Sequence, residues 1–412
     1  MKPTQLSYAA IAAMLVISAA ASAAASSEGS IASADRTAAA GIFRSPARGD
    51  DSDDSNDFDD SDDRFIAVVG DDSDDRSDLD DSNDMVDEGT GLLSIKKNEL
   101  GRFTGKLILG GKKFPLKGRF RADLYQETLR RGKAKVELNM ELAEDGQSVS
   151  GSVSARNGQI FSLFAGGVNS YSRRERSPYA GNYTLVLPGA EVESASPYPA
   201  GNGFATMRVG KRGDAKVTAT LADGTDFSFS TIVTNEGHMP FYSALYKDRG
   251  FAAGLVTFAK ISGQSDAEAV LRIYKPEGLR KQSSFKKGFF VRAPLAASRF
   301  RVGKNDRVLK ELNATRGLAS ILLGGTGFPT ELAHTVKINN KNEVVLQDLA
   351  KGGRLLNLKI NEKKGLFSGE FRPRGEKKPF GFQGVIFQAQ GIGAGFFLNK
   401  GQSGDVSFEP VN

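Results

Sequence analysis

The chain has 412 residues, enough for two or three domains, and its 39% hydrophobic content is enough to bury a core over most of its length. It has no Cys, which excludes disulfide staples and thiolate zinc sites, and no Trp against 27 Phe, so the predicted core is Phe with Val, Leu and Ile. The net charge of +6 hides a division: residues 50–88 hold 18 Asp and Glu88 against Arg64 and Arg76, a net −17, while residues 89–412 carry a net +21.

Residues 1–25 have the layout of a cleavable signal peptide. Lys2 makes a small basic start, Ala9 to Ala21 is a short apolar run with Ile11, Met14, Leu15, Val16 and Ile17, and Ala21-Ser22-Ala23 offers small residues for cleavage. The run is too short and too rich in Ala for a spanning helix, and no later stretch reaches the required length. From Ala24 to Gly49 the chain is mostly Ala, Ser and Gly and reads as a flexible spacer. The acidic stretch that follows is repeated: residues 50–63 recur as residues 71–84 with 10 of 14 positions identical. So many like charges with so few apolar residues predict disorder for the whole of 26–88.

Beyond Glu88 the texture changes to short apolar runs, Gly turns and period-two alternation. Val136, Leu138, Met140 and Leu142 alternate with Glu137, Asn139 and Glu141, as in a strand with one buried face. Further strands are predicted at Gly101–Leu109, Phe114–Phe120, Ser148–Ala155, Tyr183–Pro188, Ala205–Val209, Lys216–Leu221, Phe227–Val233 and Phe241–Leu245. The series continues with Ala253–Phe258, Val344–Leu346, Leu355–Ile360, Phe380–Phe387 and Gly395–Leu398. Gly110-Gly111, Asp145-Gly146, Asp223-Gly224 and Gly352-Gly353 mark turns between them. A helical turn or two is predicted only near Ala122–Arg131 and Val308–Thr315. The expected fold class is all-β, in tandem antiparallel barrel-like or sandwich modules over 89–175, 176–300 and 301–412. A degenerate repeat supports this: Ile95, Phe103–Leu107 and Phe114 have counterparts in Val209, Val217–Leu221 and Phe227, and again in Ile360, Phe367–Phe371 and Phe380. Each copy describes a three-stranded meander, and the shared order of signals favours duplication over convergence.

Gly181–Pro188, Leu221–Thr225, Pro240–Tyr246, Phe382–Gln388 and Gly393–Leu398 together resemble a β-rich repeat module of large bacterial surface and secreted proteins, over about 89–412. Met239 and Tyr274 stand where that family leads one to expect Trp. The resemblance implies an envelope or extracellular role and carries no catalytic residues with it.

Calcium is the one cofactor that the spacing argues for. Asp51, Asp53 and Asp57 with Ser55, and Asp78, Asp80 and Asp84 with Ser82, place alternating oxygens as a hard cation requires, although neither run has the Gly and Glu of an EF-hand. The competing reading is a solvated acidic tail that lies against the basic body and blocks other anions. The body's Lys and Arg occur mostly as pairs beside turns, where they discourage edge-to-edge association. Their functional reading is an anionic polysaccharide or envelope polymer; no reading motif points to specific nucleic acid.

Catalytic signals are sparse. His238 and His334 are the only histidines, and Ser94-x-x-Lys97 and Ser284-x-x-Lys287 match a nucleophile pattern by spacing alone, in a strand-turn context. Gly391-Ile392-Gly393-Ala394-Gly395 reads as a strand connection, because no helix follows it. The expected protein is therefore non-catalytic, secreted or attached to a bacterial surface, and binds matrix or polysaccharide. Two rival readings stay open: an outer-membrane barrel and a hydrolase with scattered carboxylates. The sequence leaves oligomeric state open.

Overall fold

A computed structural model of the chain describes residues 63–70, 90–155, 160–189, 198–279, 284–325, 332–351 and 353–411. The expected signal peptide 1–25, the spacer and all six candidate calcium ligands, Asp51, Asp53, Asp57, Asp78, Asp80 and Asp84, lie outside the described residues. Among the described residues the architecture is all-β, with 24 strands and one 3-10 turn at Lys310–Asn313. No helix among them is long and apolar enough to cross a membrane.

The first module contains β1 (Asp63–Val69), β2 (Gly91–Lys97), β3 (Arg102–Leu109) and β4 (Lys112–Arg119) in one sheet, and β5 (Leu124–Arg131), β6 (Ala134–Leu142), β7 (Ser148–Ala155) and β8 (Ile160–Gly167) in another. The two sheets face each other across a core of Phe65, Leu93, Phe103, Phe114, Leu138, Val153 and their neighbours. The Gly70 N–H, just past β1, donates to the Leu163 carbonyl of β8 at 3.1 Å.

The second module is a nearly closed eight-stranded antiparallel barrel. It comprises β9 (Gly181–Leu187), β10 (Gly203–Val209), β11 (Asp214–Thr220), β12 (Asp226–Ile232), β13 (His238–Leu245), β14 (Gly250–Thr257), β15 (Ala267–Lys275) and β16 (Phe289–Arg299). Its order, β12-β11-β10-β9-β16-β15-β14-β13, closes the first strand on the last and leaves a seam between the fourth and fifth. Module 1 follows the same plan, with β1 beside β8. The third barrel holds β17 (Leu318–Gly324), β18 (Leu332–Ile338), β19 (Val344–Lys351), β20 (Gly353–Asn361), β21 (Leu366–Pro373), β22 (Phe380–Phe387), β23 (Ile392–Asn399) and β24 (Gln402–Pro410). It also closes first on last, but its seam falls between the third and fourth strands.

The three repeat segments are meanders: β2-β3-β4, β10-β11-β12 and β20-β21-β22. The first two occupy equivalent places in their modules, strands two to four. The third occupies strands four to six, so it repeats the local pattern out of phase with the barrel.

Two expectations are corrected. Residues 63–69 lie inside the stretch 26–88 that reads as disordered, yet they form β1, paired along its whole length with β2. The run Phe65-Ile66-Ala67-Val68-Val69 is apolar on both faces because both are buried: Phe65, Ala67 and Val69 enter the core of module 1, while Ile66 packs against the core of barrel 2. The predicted helical turns over Ala122–Arg131 are instead β5. Ala122 and Asp123, at φ 45° and 60°, make the tight turn from β4, and Leu124–Arg131 pairs with β6. β5 is an edge strand with only Leu129 buried, so strand pairing overrides the helical preference of its Gln, Glu, Leu and Arg. The turns expected over Val308–Thr315 shrink to the 3-10 turn.

Barrels 2 and 3 share an apolar interface made from their outer faces, with Val186, Phe204 and Ala296 against Val385, Phe387 and Phe396. Polar contacts fix its register: Thr184 Oγ1 donates to the Ile386 carbonyl at 2.7 Å, and the Asn202 N–H donates to the Gly395 carbonyl at 3.1 Å. Gly384 and Gly395 face each other across β22 and β23, and a Cβ on either would run into the opposing backbone. This close approach accounts for Gly395, whereas Gly391 is a turn residue at φ 69° and a Cβ on Gly393 would meet the Phe367 and Phe408 side chains.

Because Phe65 is 1% exposed in the core of module 1, Phe65→Ala is expected to cost about 3–5 kcal/mol. Urea unfolding with amide exchange at β2 checks this; an unchanged midpoint would mean that β1 is not integral to the module.

Candidate functional site

One part of the outer face of the β1–β4 sheet docks on barrel 2. Ile66, Leu92 and Ile108 pack against its core cluster beside β13 and β14. The linker after β8 is strapped to the same barrel: the Asn169 side-chain amide donates to Val233 O at 2.7 Å and Arg212 O at 3.1 Å, and the Ser170 N–H donates to Asn235 Oδ1 at 2.9 Å. Two attachments hold the module and the barrel at a fixed separation.

Beside this contact lies a cleft of about 480 Å³. Ile66, Leu92, Ser94 and Lys106 line it from module 1; Arg208, Asp214, Lys216, Ser230 and Thr231 are among the barrel residues opposite. Strand register assembles the wall. Arg208 faces Lys216 across β10 and β11, and Lys216 faces Ser230 across β11 and β12, so the three form one row on the barrel's outer surface. On the other wall Ser94 of β2 faces Lys106 of β3. Burial first, and the nearby positive charge of Lys113 second, lower the pKa of Lys106 from 10.5. An anion in the cleft would relieve that repulsion. Three cations and the hydroxyls of Ser94 and Ser230 thus converge on one opening, with Asp214 the single carboxylate in its lining. Such a wall suits charge-assisted hydrogen bonds to carboxylate, sulfate or phosphate oxygens.

A second cleft, about 490 Å³, lies where barrel 2 meets the segment leading to barrel 3. Its charged groups are mixed in sign, and three of them, Asp266, Arg299 and Asp306, are engaged in structure. Asp266 Oδ2 accepts the Arg299 N–H at 2.6 Å, Asp306 Oδ2 accepts the Gly303 N–H at 3.2 Å, and the Arg299 guanidinium donates to Ala180 O at 2.7 Å.

The most buried polar constellation is an ion pair at one end of barrel 2. Lys275 Nζ lies 2.6 Å from Asp223 Oδ2, with side chains 1% and 0% exposed, and donates to Ser284 O at 3.0 Å. Tyr246 OH donates to the same carboxylate oxygen at 3.0 Å, and Lys275 sits over the Tyr246 ring at 5.2 Å. Burial first and the Asp223 charge second push the Tyr246 and Tyr198 phenols up, so both remain protonated. Three loops meet here, after β11, β13 and β15. Asp223 and Tyr246 lie in two of the segments that carry the sequence resemblance and Lys275 follows Tyr274, and the fold brings the three to one point. Met239 and Tyr274 are both buried in the core of the same barrel. Sealed on all sides, the pair fastens loops and cannot meet a ligand.

The candidate catalytic residues do not assemble. Ser94 faces the first cleft, whereas Lys97, three residues along the same strand, points the opposite way and pairs with Asp63 at 3.0 Å. Ser284 is buried with its carbonyl on Lys275, while Lys287 is exposed. His238 opens β13 with Nδ1 3.6 Å from Glu236. His334 is 3% exposed among the core residues of barrel 3, with no hydrogen-bond partner at Nε2. No group of three or more potential metal ligands occurs among the described residues.

No family model matches the chain, and no curated protein matches it. Solved structures found to be similar include a Trp-176-Ala mutant of transferrin binding protein B from Haemophilus parasuis, at 10% identity and a TM-score of 0.20, covering 78% of this chain and 65% of that one. Isotype 1 transferrin binding protein B from serogroup B Neisseria meningitidis gives 10% identity, a TM-score of 0.18 and coverage of 77% and 65%. The chain spans less than two thirds of these proteins, and a likeness at such TM-scores carries no argument about function.

Two outcomes follow from the buried groups. Lys275→Met strands a buried carboxylate and is expected to cost about 3–5 kcal/mol in urea unfolding, whereas combining it with Asp223→Leu should recover most of the loss. For His334, burial lowers the folded-state pKa from 6.5, so the unfolded chain takes up the proton first as the solution becomes acidic. Its stabilising contribution is complete above about pH 6.5 and is lost toward lower pH, by up to about 1.4 kcal/mol per pH unit. His334→Phe should flatten the pH dependence of barrel 3 unfolding; an unaltered profile would contradict this.

Proposed function

We propose that the chain is an exported, non-catalytic surface or extracellular protein that binds an anionic polymer of matrix or envelope, with the cleft between module 1 and barrel 2 as the first point of contact. The observation that carries this reading is the convergence of Lys106, Arg208 and Lys216 with two hydroxyl side chains on walls of fixed separation. The basic balance of residues 89–412 supports attraction of a polyanion over distance. Lys2, the apolar run of 9–21 and Ala21-Ser22-Ala23 support export.

The rival enzymes and membrane barrel fit less well. A glycosidase needs two carboxyl groups across a scissile bond, and the first cleft has one. A membrane barrel needs an apolar outer band, whereas β10–β12 turn Thr206, Arg208, Lys216, Thr218, Ser228 and Ser230 outward.

The acidic runs flank β1 in the sequence, and their net negative charge makes them a tethered competitor of an external polyanion for the basic body. Calcium held by Asp51, Asp53 and Asp57, or by Asp78, Asp80 and Asp84, would weaken that competition. The test is titration of the full chain with heparin tetrasaccharide at two salt concentrations. Arg208→Gln with Lys216→Gln is expected to weaken binding about tenfold or more, as for loss of a charge-assisted contact worth about 1.5 kcal/mol. Replacing the aspartates of 50–62 and 71–84 with Ser, with β1 intact, should raise affinity at low salt, and added calcium should act in the same direction on the native chain. Deleting all of 50–88 is unsuitable because it removes β1. Binding unaffected by the cleft variant would sink this reading.

A further inference from the structure

The cleft is one end of a larger basic surface. Strands β2, β3 and β4 contain no acidic residue, and Glu99, in the turn after β2, is the one acid in residues 90–119. Their inward positions, Phe103, Leu107, Phe114 and Leu116, fill the core of module 1. Alternation therefore turns Arg102, Thr104 and Lys106 of β3 outward, together with Lys113, Lys117 and Arg119 of β4. Register places these side chains together. Arg102 faces Arg119, Thr104 faces Lys117, and Lys106 faces Pro115, which puts Lys113 and Lys117 on the two diagonals from Lys106.

We propose that the ligand path continues from the cleft along the outer face of β3 and β4, so that the protein holds a linear acidic polysaccharide. From Lys113 to Arg119 the path is about 20 Å long at ~3.3 Å per residue. This inference rests on the cleft reading and adds to it a direction, a length and a polymer class. Five cations with no intervening acid lie on two neighbouring strands, and Arg102 and Lys106 are on β3, an interior strand, so protection of the β4 edge does not account for them. Lys106 belongs to both the cleft lining and this face, which makes the two surfaces continuous. Ser94 and Thr104 supply hydroxyl partners between the cations, as sugar hydroxyls need. The aromatic side chains of β3 and β4, Phe103 and Phe114, are 1% and 2% exposed, so no ring offers the stacking platform on which single-stranded nucleic acid is held.

The experiment compares heparin tetrasaccharide and dodecasaccharide binding to the full chain, with single-stranded DNA of matched charge as a third probe. The expected result is at least about tenfold tighter binding of the longer fragment, the gain of roughly one further charge-assisted contact. Arg102→Gln with Lys117→Gln, both exposed and away from the cleft lining, should remove that gain and leave tetrasaccharide affinity within about twofold. Equal affinity for the two lengths, or a length gain that survives the double variant, would overturn the path while leaving the cleft reading in place. DNA bound more tightly than the dodecasaccharide would overturn the polymer class. Failure of both fragments to bind would defeat the cleft reading itself.

Discussion

A β-strand has two faces, and in a chain without cysteine one of them must be committed to burial. Every module here is built from antiparallel ladders around apolar side chains, with Phe103 and Phe114 in the first, Phe241 and Phe251 in the second, and Phe371, Phe397 and Phe408 in the third. With the inward set fixed by the core, the outward set is fixed as well, because a slip of one residue would exchange the faces. The basic wall of β3 and β4 and the Arg208–Lys216–Ser230 row are therefore held by core packing, in a chain that has no Cys for disulfides.

The same constraint explains how the modules meet. Where a strand's outward positions are also apolar, as at Ile66, Leu92 and Ile108 or at Val385 and Phe387, that face has to be covered by another module. The first set brings module 1 onto barrel 2 and creates the cleft at the edge of the contact. The second joins barrels 2 and 3. The buried Lys275–Asp223 pair adds specificity at a loop end, where Tyr246 and the Ser284 carbonyl satisfy groups that an apolar core could not.

Strands with one face in water were legible in the sequence. The alternation over Val136–Leu142 matches β6, and the three meander segments match ladders whose registers are now explicit. Elements that break simple alternation were not. β1 carries five apolar residues in a sequence stretch rich in Asp, and average composition over 26–88 concealed it. β5 is so polar that its residue types suggested a helix, and only its partner β6 identifies it as a strand. The cleft was illegible for a different reason: Lys106 and Lys216 are 110 positions apart in the chain, and neither belongs to the Lys pairs that attract notice. Pairing itself misled, since adjacent residues of a strand point to opposite faces. Lys113 joins the basic wall through its register with Ile108, a long-range fact, and not through its neighbour Lys112.

The central claim is that the arrangement of outward cations, more than the overall positive charge, makes the binding surface. Lysine acylation footprinting on the full chain, with and without a saturating heparin fragment, tests it most directly. The account predicts protection of Lys106, Lys113, Lys117 and Lys216, with the exposed Lys337 and Lys359 of barrel 3 unchanged. Protection spread evenly over all exposed lysines, or confined to barrel 3, would contradict it.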